Sequence, residues 1–237
     1  GGWGPAAFQP VAISGASDYV YNPETATIRL SGSSGLITGS TYTVQSVVPA
    51  PSLARLRRAT AVQPPSARYL KLPTEFPASL TGVARSIVEG VTGPYAQART
   101  LQDWLRNNFT YDLDVPAGNG TNAIVSFLER RRGYCEQFAG TFAAFARVIG
   151  LPSRVAIGFT PGVAEDGRYV VRARNAHAWP EVWFDGIGWV AFEPTPGRGA
   201  PGDQGYTGVE PAQDTTVGTD GTGIGGSTTT SPPSTSI

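Results

Sequence analysis

The sequence predicts an α+β fold, with a helical layer packed on an antiparallel sheet, and three observations carry the prediction. Residues 77–149 repeat apolar positions at three- and four-residue spacing, the mark of helices with one buried face. Residues 154–192 change to short β-favouring runs separated by Gly- and Asp-containing turns. Residues 1–65 are also β-favouring but broken by Gly/Ser clusters, which reads as a small β-rich region ahead of the main body.

At 237 residues the chain can hold one full domain and a smaller one, and 40% apolar content is enough for a core. Formal net charge is zero, so no bulk field argues for nucleic acid or an anionic surface as partner. Methionine is absent, which reads as an excised piece of a longer chain. No apolar run approaches the roughly 20 residues needed to span a bilayer, and no signal peptide is visible.

Taken in order, residues 19–21, 26–30 and 41–48 are expected strands of a packing or spacer module. Residues 77–91 form an amphipathic helix with Leu80, Val83, Ala84, Ile87, Val88 and Val91 on one face. Pro94 suits the first turn of a second helix that turns Ala98, Leu101, Leu105 and Phe109 inward. A third helix is expected over 122–131, with Thr121 as N-cap and Arg130, Arg131 and Arg132 as a solvated basic end. Cys135 then opens a buried helix through Phe138, Ala139, Phe142, Ala146 and Ile149, stopped by Leu151 and Pro152. Strands follow at 154–159 and 168–171 around a turn at 161–167, then at 177–184 and 188–192 around Asp185-Gly186. The expected division is a β-rich region at 1–65, a core at 66–200 and a disordered Gly/Ser/Thr/Pro linker at 201–237.

Cys135 is the only cysteine, so it has no intramolecular disulfide partner. At a helix N-terminus the partial positive charge favours the thiolate, the form that attacks carbonyls. His177 is the only histidine. A two-residue loop at Asp185-Gly186 would pair Phe184 with Ile187 and set His177 opposite Pro194, next to Glu193. A one-residue adjustment by a bulge or another loop closure would bring imidazole and carboxylate level. A carboxylate there would orient the ring and stabilise the imidazolium. Taken singly, each residue has a plainer reading: a small buried hydrophobe, a structural histidine, a surface acid at a strand end. One cysteine and one histidine fall short of a metal-ligand set, and no nucleotide loop is present, so neither metal nor cofactor is expected.

Four blocks of sequence resemble a known family. They are Gly133-Tyr134-Cys135, the stretch from Ala146-Arg147 through Gly150-Leu151-Pro152-Ser153-Arg154-Val155, then His177-Ala178-Trp179-Pro180-Glu181-Val182-Trp183, and Gly188-Trp189-Val190-Ala191-Phe192-Glu193-Pro194-Thr195. In this order and spacing, over about residues 70–197, the chain resembles the transglutaminase-like superfamily with its papain-like cysteine–histidine–acid arrangement. Within it the likeness is to the bacterial membrane-anchored branch, which implies a soluble domain on the extracytoplasmic face, held by flanking membrane segments. The resemblance implies Cys135 as nucleophile, His177 as general base and acid, and Glu193 as third member. The family usually carries Asp before Pro-Thr. The extra methylene of Glu193 displaces its carboxylate by about a bond length, against positioning tolerances of about 0.5 Å.

The implied activity is thiol-dependent acyl transfer of the protein-glutamine γ-glutamyltransferase kind, or amide hydrolysis, on a protein or peptide substrate through a thioester. The alternative is a non-catalytic extracytoplasmic binding or scaffold domain that keeps the fold. The Cys135 backbone N–H is a natural oxyanion donor, with Tyr134, Gln137 and Trp179 as side-chain candidates. Strand alternation puts Glu181 on the same face as His177, where it holds a structural hydrogen bond or tunes the site. Loops at 115–120 and 160–167 are the expected seat of specificity.

Overall fold

The computed structural model describes residues 3–7, 9–15, 19–30, 41–118, 120–200 and 202–213. The fold is α+β, with helices packed on antiparallel sheet. Its N-terminal part contains five short strands: β1 (Trp3–Gly4), β2 (Pro10–Ser14), β3 (Tyr19–Asn22), β4 (Thr27–Leu30) and β5 (Thr43–Ser46). Among the described residues these make an antiparallel β1-β4-β3 sheet and a β2-β5 pair, and the three strands expected there fall on β3, β4 and β5.

The helical layer begins with α1 (Leu53–Arg58), where the Ser52 hydroxyl accepts from the Arg55 N–H at 3.3 Å and Leu56 enters the core. Six residues are too few for an apolar period to show in the sequence. Helix α2 (Ala78–Ile87) is shorter than the expected 77–91, because residues 88–90 form a turn closed by Gly90 at φ 73°. Helix α3 (Pro94–Asn108) starts at its proline and buries Ala98, Leu101 and Leu105. After β6 (Thr110–Tyr111) comes α4 (Thr121–Arg130). Here Thr121 is the first helical residue rather than the cap; Gly120 takes the cap position, and Arg131 ends the helix at φ 55°. Strand β7 (Arg132–Gly133) pairs in parallel with β6 and leads directly into α5 (Cys135–Val148).

The remaining elements are β8 (Ser153–Phe159), β9 (Val163–Glu165), β10 (Arg168–Val170), β11 (Ala176–Phe184), β12 (Gly188–Ala191), β13 (Arg198–Gly199), α6 (Gln204–Thr207) and β14 (Ala212–Gln213). The central sheet is antiparallel in the order β12-β11-β8. Helix α5 lies on it and packs Phe138, Phe142 and Phe145 in one core with Val182, Phe184, Val190 and Phe192. Burying side chains of this size contributes about 1.5–3 kcal/mol each. Helices α2, α3 and α4 pack against α5, so the helix that carries the cysteine is the centre of the layer.

Three expectations are corrected. Strand β8 pairs with β11, not with β10; the stretch expected as a turn contains β9, which forms its own hairpin with β10 around Asp166-Gly167. The β11–β12 loop has three residues, so Phe184 pairs with Gly188 rather than Ile187, and the register moves away from direct pairing of His177 with Glu193. Residues 202–213, expected to belong to a disordered linker, fold back instead: β14 pairs with β13, and Tyr206 joins the core. The rest of that expected linker, 214–237, lies outside the described residues.

Candidate active site

The turn into α5 explains the Gly133-Tyr134-Cys135-Glu136-Gln137 motif. The Gln137 side-chain oxygen accepts from the Tyr134 N–H at 3.3 Å, which caps the helix start. Its amide nitrogen donates to the Pro116 carbonyl at 3.4 Å and ties down the preceding loop. That folded-back side chain needs Gly133, since a Cβ there would sit 2.2 Å from Gln137 Oε1. Cys135 is thereby fixed as the first residue of α5, half-buried, with a free thiol at the positive end of the helix.

His177 comes from the start of β11 and is 6% exposed. Its Nε2 lies 2.6 Å from Glu193 Oε2. An ionised carboxylate only accepts, so Nε2 carries the hydrogen and Nδ1 holds the lone pair of the neutral ring. Nδ1 is buried and has no hydrogen-bond partner among the described residues. Burial of the ring opposes its positive charge. Contributions from Cys135 and Glu193 outweigh that, raising the pKa from 6.5 to about 9. His177 and Glu193 are thus in direct contact, and Cys135 heads α5, which packs on β11.

Glu193 arrives by leaving the ladder. The β11–β12 pairing ends at Glu181 with Ala191, followed by one bond from the Phe192 N–H to the Pro180 carbonyl. Glu193 Oε1 then accepts from the Thr195 N–H at 2.9 Å, which leaves Oε2 for the histidine. Helix α3 braces the same segment. Gln102, fully buried, accepts from the Glu193 N–H at 3.1 Å and donates to the Thr207 carbonyl at 3.0 Å. Arg106 donates to the carbonyls of Glu193 and Arg198, each at 3.1 Å, and to that of Thr195. Burial lowers the Arg106 pKa, and the nearby Glu193 charge works against that. Sequence reasoning missed Gln102, Arg106 and Thr195. The signal available was a glutamine and an arginine four residues apart on the border of an apolar helix face.

Trp179 lies beside His177, with ring centroids 6.0 Å apart and planes 27° from parallel. It also covers Gly158, which pairs with His177 across the β8–β11 ladder; a Cβ on Gly158 would lie 2.9 Å from the tryptophan ring. Glu181 turns to Arg154, whose Nε donates to Glu181 Oε2 at 2.6 Å, and the Arg154 guanidinium stacks over Trp189 at 4.4 Å. Gln137 is likewise occupied at both ends of its amide, while Tyr134 is half-buried at the head of α5. Among the described residues no group of three or more His, Cys, Asp or Glu is placed to hold a metal ion.

Residues 81–194 match the sequence model of the transglutaminase-like superfamily. The chain thus carries a transglutaminase-like domain. It is 33% identical over 132 residues to the protein-glutamine gamma-glutamyltransferase of Pseudomonas aeruginosa, covering 54% of this chain and 20% of that one. It is 32% identical over 143 residues to the uncharacterized protein YebA of Bacillus subtilis, covering 56% and 19%. The chain therefore spans about a fifth of the length of these curated relatives. Among solved structures it resembles the periplasmic domain of TgpA from Pseudomonas aeruginosa, with 30% identity, coverage of 54% and 45%, and a TM-score of 0.49. No helix among the described residues is long and apolar enough to cross a membrane.

Proposed function

We propose that this domain is a thiol acyltransferase or amidase acting on protein or peptide carboxamides, with Cys135 as nucleophile, His177 as base and acid, and Glu193 as orienter. The observation that carries the reading is the histidine's asymmetry: Nε2 is held by Glu193 at 2.6 Å, and Nδ1 is buried and unpartnered beside the thiol's helix. Nδ1 is the atom that exchanges a proton with the Cys135 sulfur. The thiolate attacks the carbonyl carbon, and the oxyanion is received by the Cys135 N–H at the head of α5. Nδ1–H then protonates the leaving ammonia or amine as the C–N bond breaks, leaving a thioester. An incoming amine or water gives its proton to Nδ1, attacks the thioester, and releases the thiol.

Within this reading Gln137 holds the turn and Glu181 holds the sheet, so Tyr134 and Trp179 are the side chains that line the reacting group. The named activity of the Pseudomonas relative supports glutamine as acyl donor, and the periplasmic domain it resembles supports an extracytoplasmic location next to a membrane anchor.

The test is mass spectrometry of the protein with a glutamine-containing peptide, with and without hydroxylamine. The proposal expects an acyl adduct on Cys135 with release of ammonia, and a hydroxamate in the presence of hydroxylamine. Binding of peptide with no adduct and no product at any pH would overturn it in favour of the non-catalytic scaffold.

A further inference from the structure

The central sheet keeps one open edge. The Thr160 N–H donates to the Asn175 carbonyl at 2.8 Å and the Trp183 N–H to the Pro152 carbonyl at 2.9 Å. In the β8–β11 register these fix the even-numbered residues of β8 as the ones that exchange hydrogen bonds with β11. Pro180, which has no N–H, stands opposite Val155 and agrees with that phase. The N–H and C=O groups of Ser153, Val155, Ile157 and Phe159 therefore point away from β11. Strand β8 is the outer strand of the sheet, and among the described residues no backbone hydrogen bond closes the outward groups of Val155, Ile157 or Phe159. At the Ser153 end the edge is closed, because Arg147 Nη2 donates to the Ser153 carbonyl at 2.9 Å.

The side chains at the same positions are apolar and face water. Val155 is 39%, Ile157 80% and Phe159 50% exposed. The residues between them face the other way, where Arg154 is taken by Glu181 and Gly158 lies under Trp179. Open edges in soluble proteins ordinarily carry a charge, a proline or a bulge that prevents pairing. The stretch 155–159 has none of these: its register against β11 is unbroken, and its outward residues are Val, Ile and Phe. Free backbone groups at alternate residues, with bare apolar side chains beside them, form a template for one more strand.

We infer that the β8 edge binds an extended segment of the protein substrate as a fourth strand, apolar at alternate positions, with the reactive glutamine beyond the Phe159 end. Two observations choose this occupant. Phe159 pairs with Ala176 and Gly158 with His177, so the open edge leads to the end of the sheet that presents the histidine. A stable dimer takes about 20–30 residues from each side, far more than the stretch 155–159 supplies, whereas a short extended substrate needs no more than this. The edge carries no charge, so it selects an extended backbone and alternate apolar side chains rather than an ionic group. That the strand is substrate rests on the chemistry proposed for Cys135; pairing at the edge does not.

The experiment uses the full chain carrying Cys135→Ala, so that binding is read without turnover. Acetyl-Lys-Gln-Val-Thr-Val-Thr-Val-Gln-Lys-amide is compared with its counterpart carrying Ser for every Val, by calorimetry and by amide hydrogen exchange read by NMR. In the free protein the amides of Val155, Ile157 and Phe159 should exchange fast, since nothing accepts from them. The valine peptide should slow these amides and bind at least about tenfold tighter than the serine peptide. Ile157→Pro removes an outward N–H without touching the β11 ladder, and Ile157→Lys sets a charge on the edge. Both should abolish the preference, with thermal melts confirming folded protein. Amides already slow in the free protein would mean that the chain itself or a second copy fills the edge, and would overturn the inference. Equal binding of the two peptides, or a preference that survives both variants, would overturn it as well. Alkylation of Cys135 by iodoacetamide needs no peptide and is measured in the wild type, so failure of the edge is distinguishable from failure of the proposed chemistry.

Discussion

His177 Nε2 and Glu193 Oε2 lie 2.6 Å apart, although the ladder joining their strands ends two residues short of Glu193. The contact is made by chain that has left the sheet, and it is held by the Thr195 N–H on one side and by α3 on the other. Glu193 is therefore positioned by a helix that carries neither His177 nor Cys135.

The first prediction concerns the charge on His177. As the only histidine, it gives one imidazole resonance, whose titration by proton NMR should show a midpoint near 9. In Glu193→Gln the midpoint should fall toward 6.5. A pKa raised in the folded state means that the contribution to stability is complete below pH 6.5 and is lost as pH rises through about 9. Denaturant midpoints should decline across that window more steeply in the wild type than in Glu193→Gln. A wild-type titration midpoint at the ordinary histidine value would contradict this.

Gln102→Leu should be costly for a residue far from the thiol in sequence. It strands the Glu193 N–H and the Thr207 carbonyl, at about 1–3 kcal/mol for each buried group. The His177 midpoint should fall in the same variant, because the Glu193 segment loses its brace. Urea denaturation and the histidine titration check the two halves separately, and an unchanged midpoint would mean that α3 stabilises the fold without positioning the acid.

Gly158→Ala places a methyl group 2.9 Å from the Trp179 ring. The ring must move or the strands must part, with an expected cost of about 1–3 kcal/mol. Trp179 fluorescence and the Cys135 alkylation rate should both change, since this ring lies over the strand pair that presents His177. Wild-type stability together with unchanged fluorescence would show that the tryptophan has room to spare.

Glu181→Ala leaves Arg154 buried without its carboxylate. The pair is 3% and 12% exposed on its acid and base sides, and breaking such a pair costs about 3–5 kcal/mol. Glu181→Gln, which keeps an oxygen toward Arg154, should lose much less. Equal stabilities of the two variants would argue against a structural role for the charge.

The legible parts of this protein are those with a period or a motif. The apolar spacing of α3 and α5 and the proline at the head of α3 are local signals, and the structure follows them. The Cys135 turn was readable for the same reason, since Gly133 and Gln137 act within four residues of each other. The β11–β12 register was not, because a three-residue loop and a two-residue loop share the same Asp-Gly signature. The pairing of β8 with β11 skips over the β9–β10 hairpin, and no local pattern encodes a partner that distant. Gln102 and Arg106 read as polar positions beside an apolar stripe, because their partners are backbone groups about 90 residues away. In 202–213 the buried apolar residues are Tyr206 and Val209, set among small and polar neighbours, too sparse a signal to distinguish from a linker.

The most direct test of the central claim is the rate of Cys135 alkylation by iodoacetamide under reducing conditions, measured against pH in wild type and His177→Ala. The account predicts rapid alkylation at about pH 6.5, well below the titration of an ordinary thiol. It also predicts a fall of about 100-fold or more in His177→Ala at that pH. A wild-type rate that rises only as an ordinary thiol ionises, with the same profile in His177→Ala, would contradict it: the imidazole would then have no part in activating the thiol.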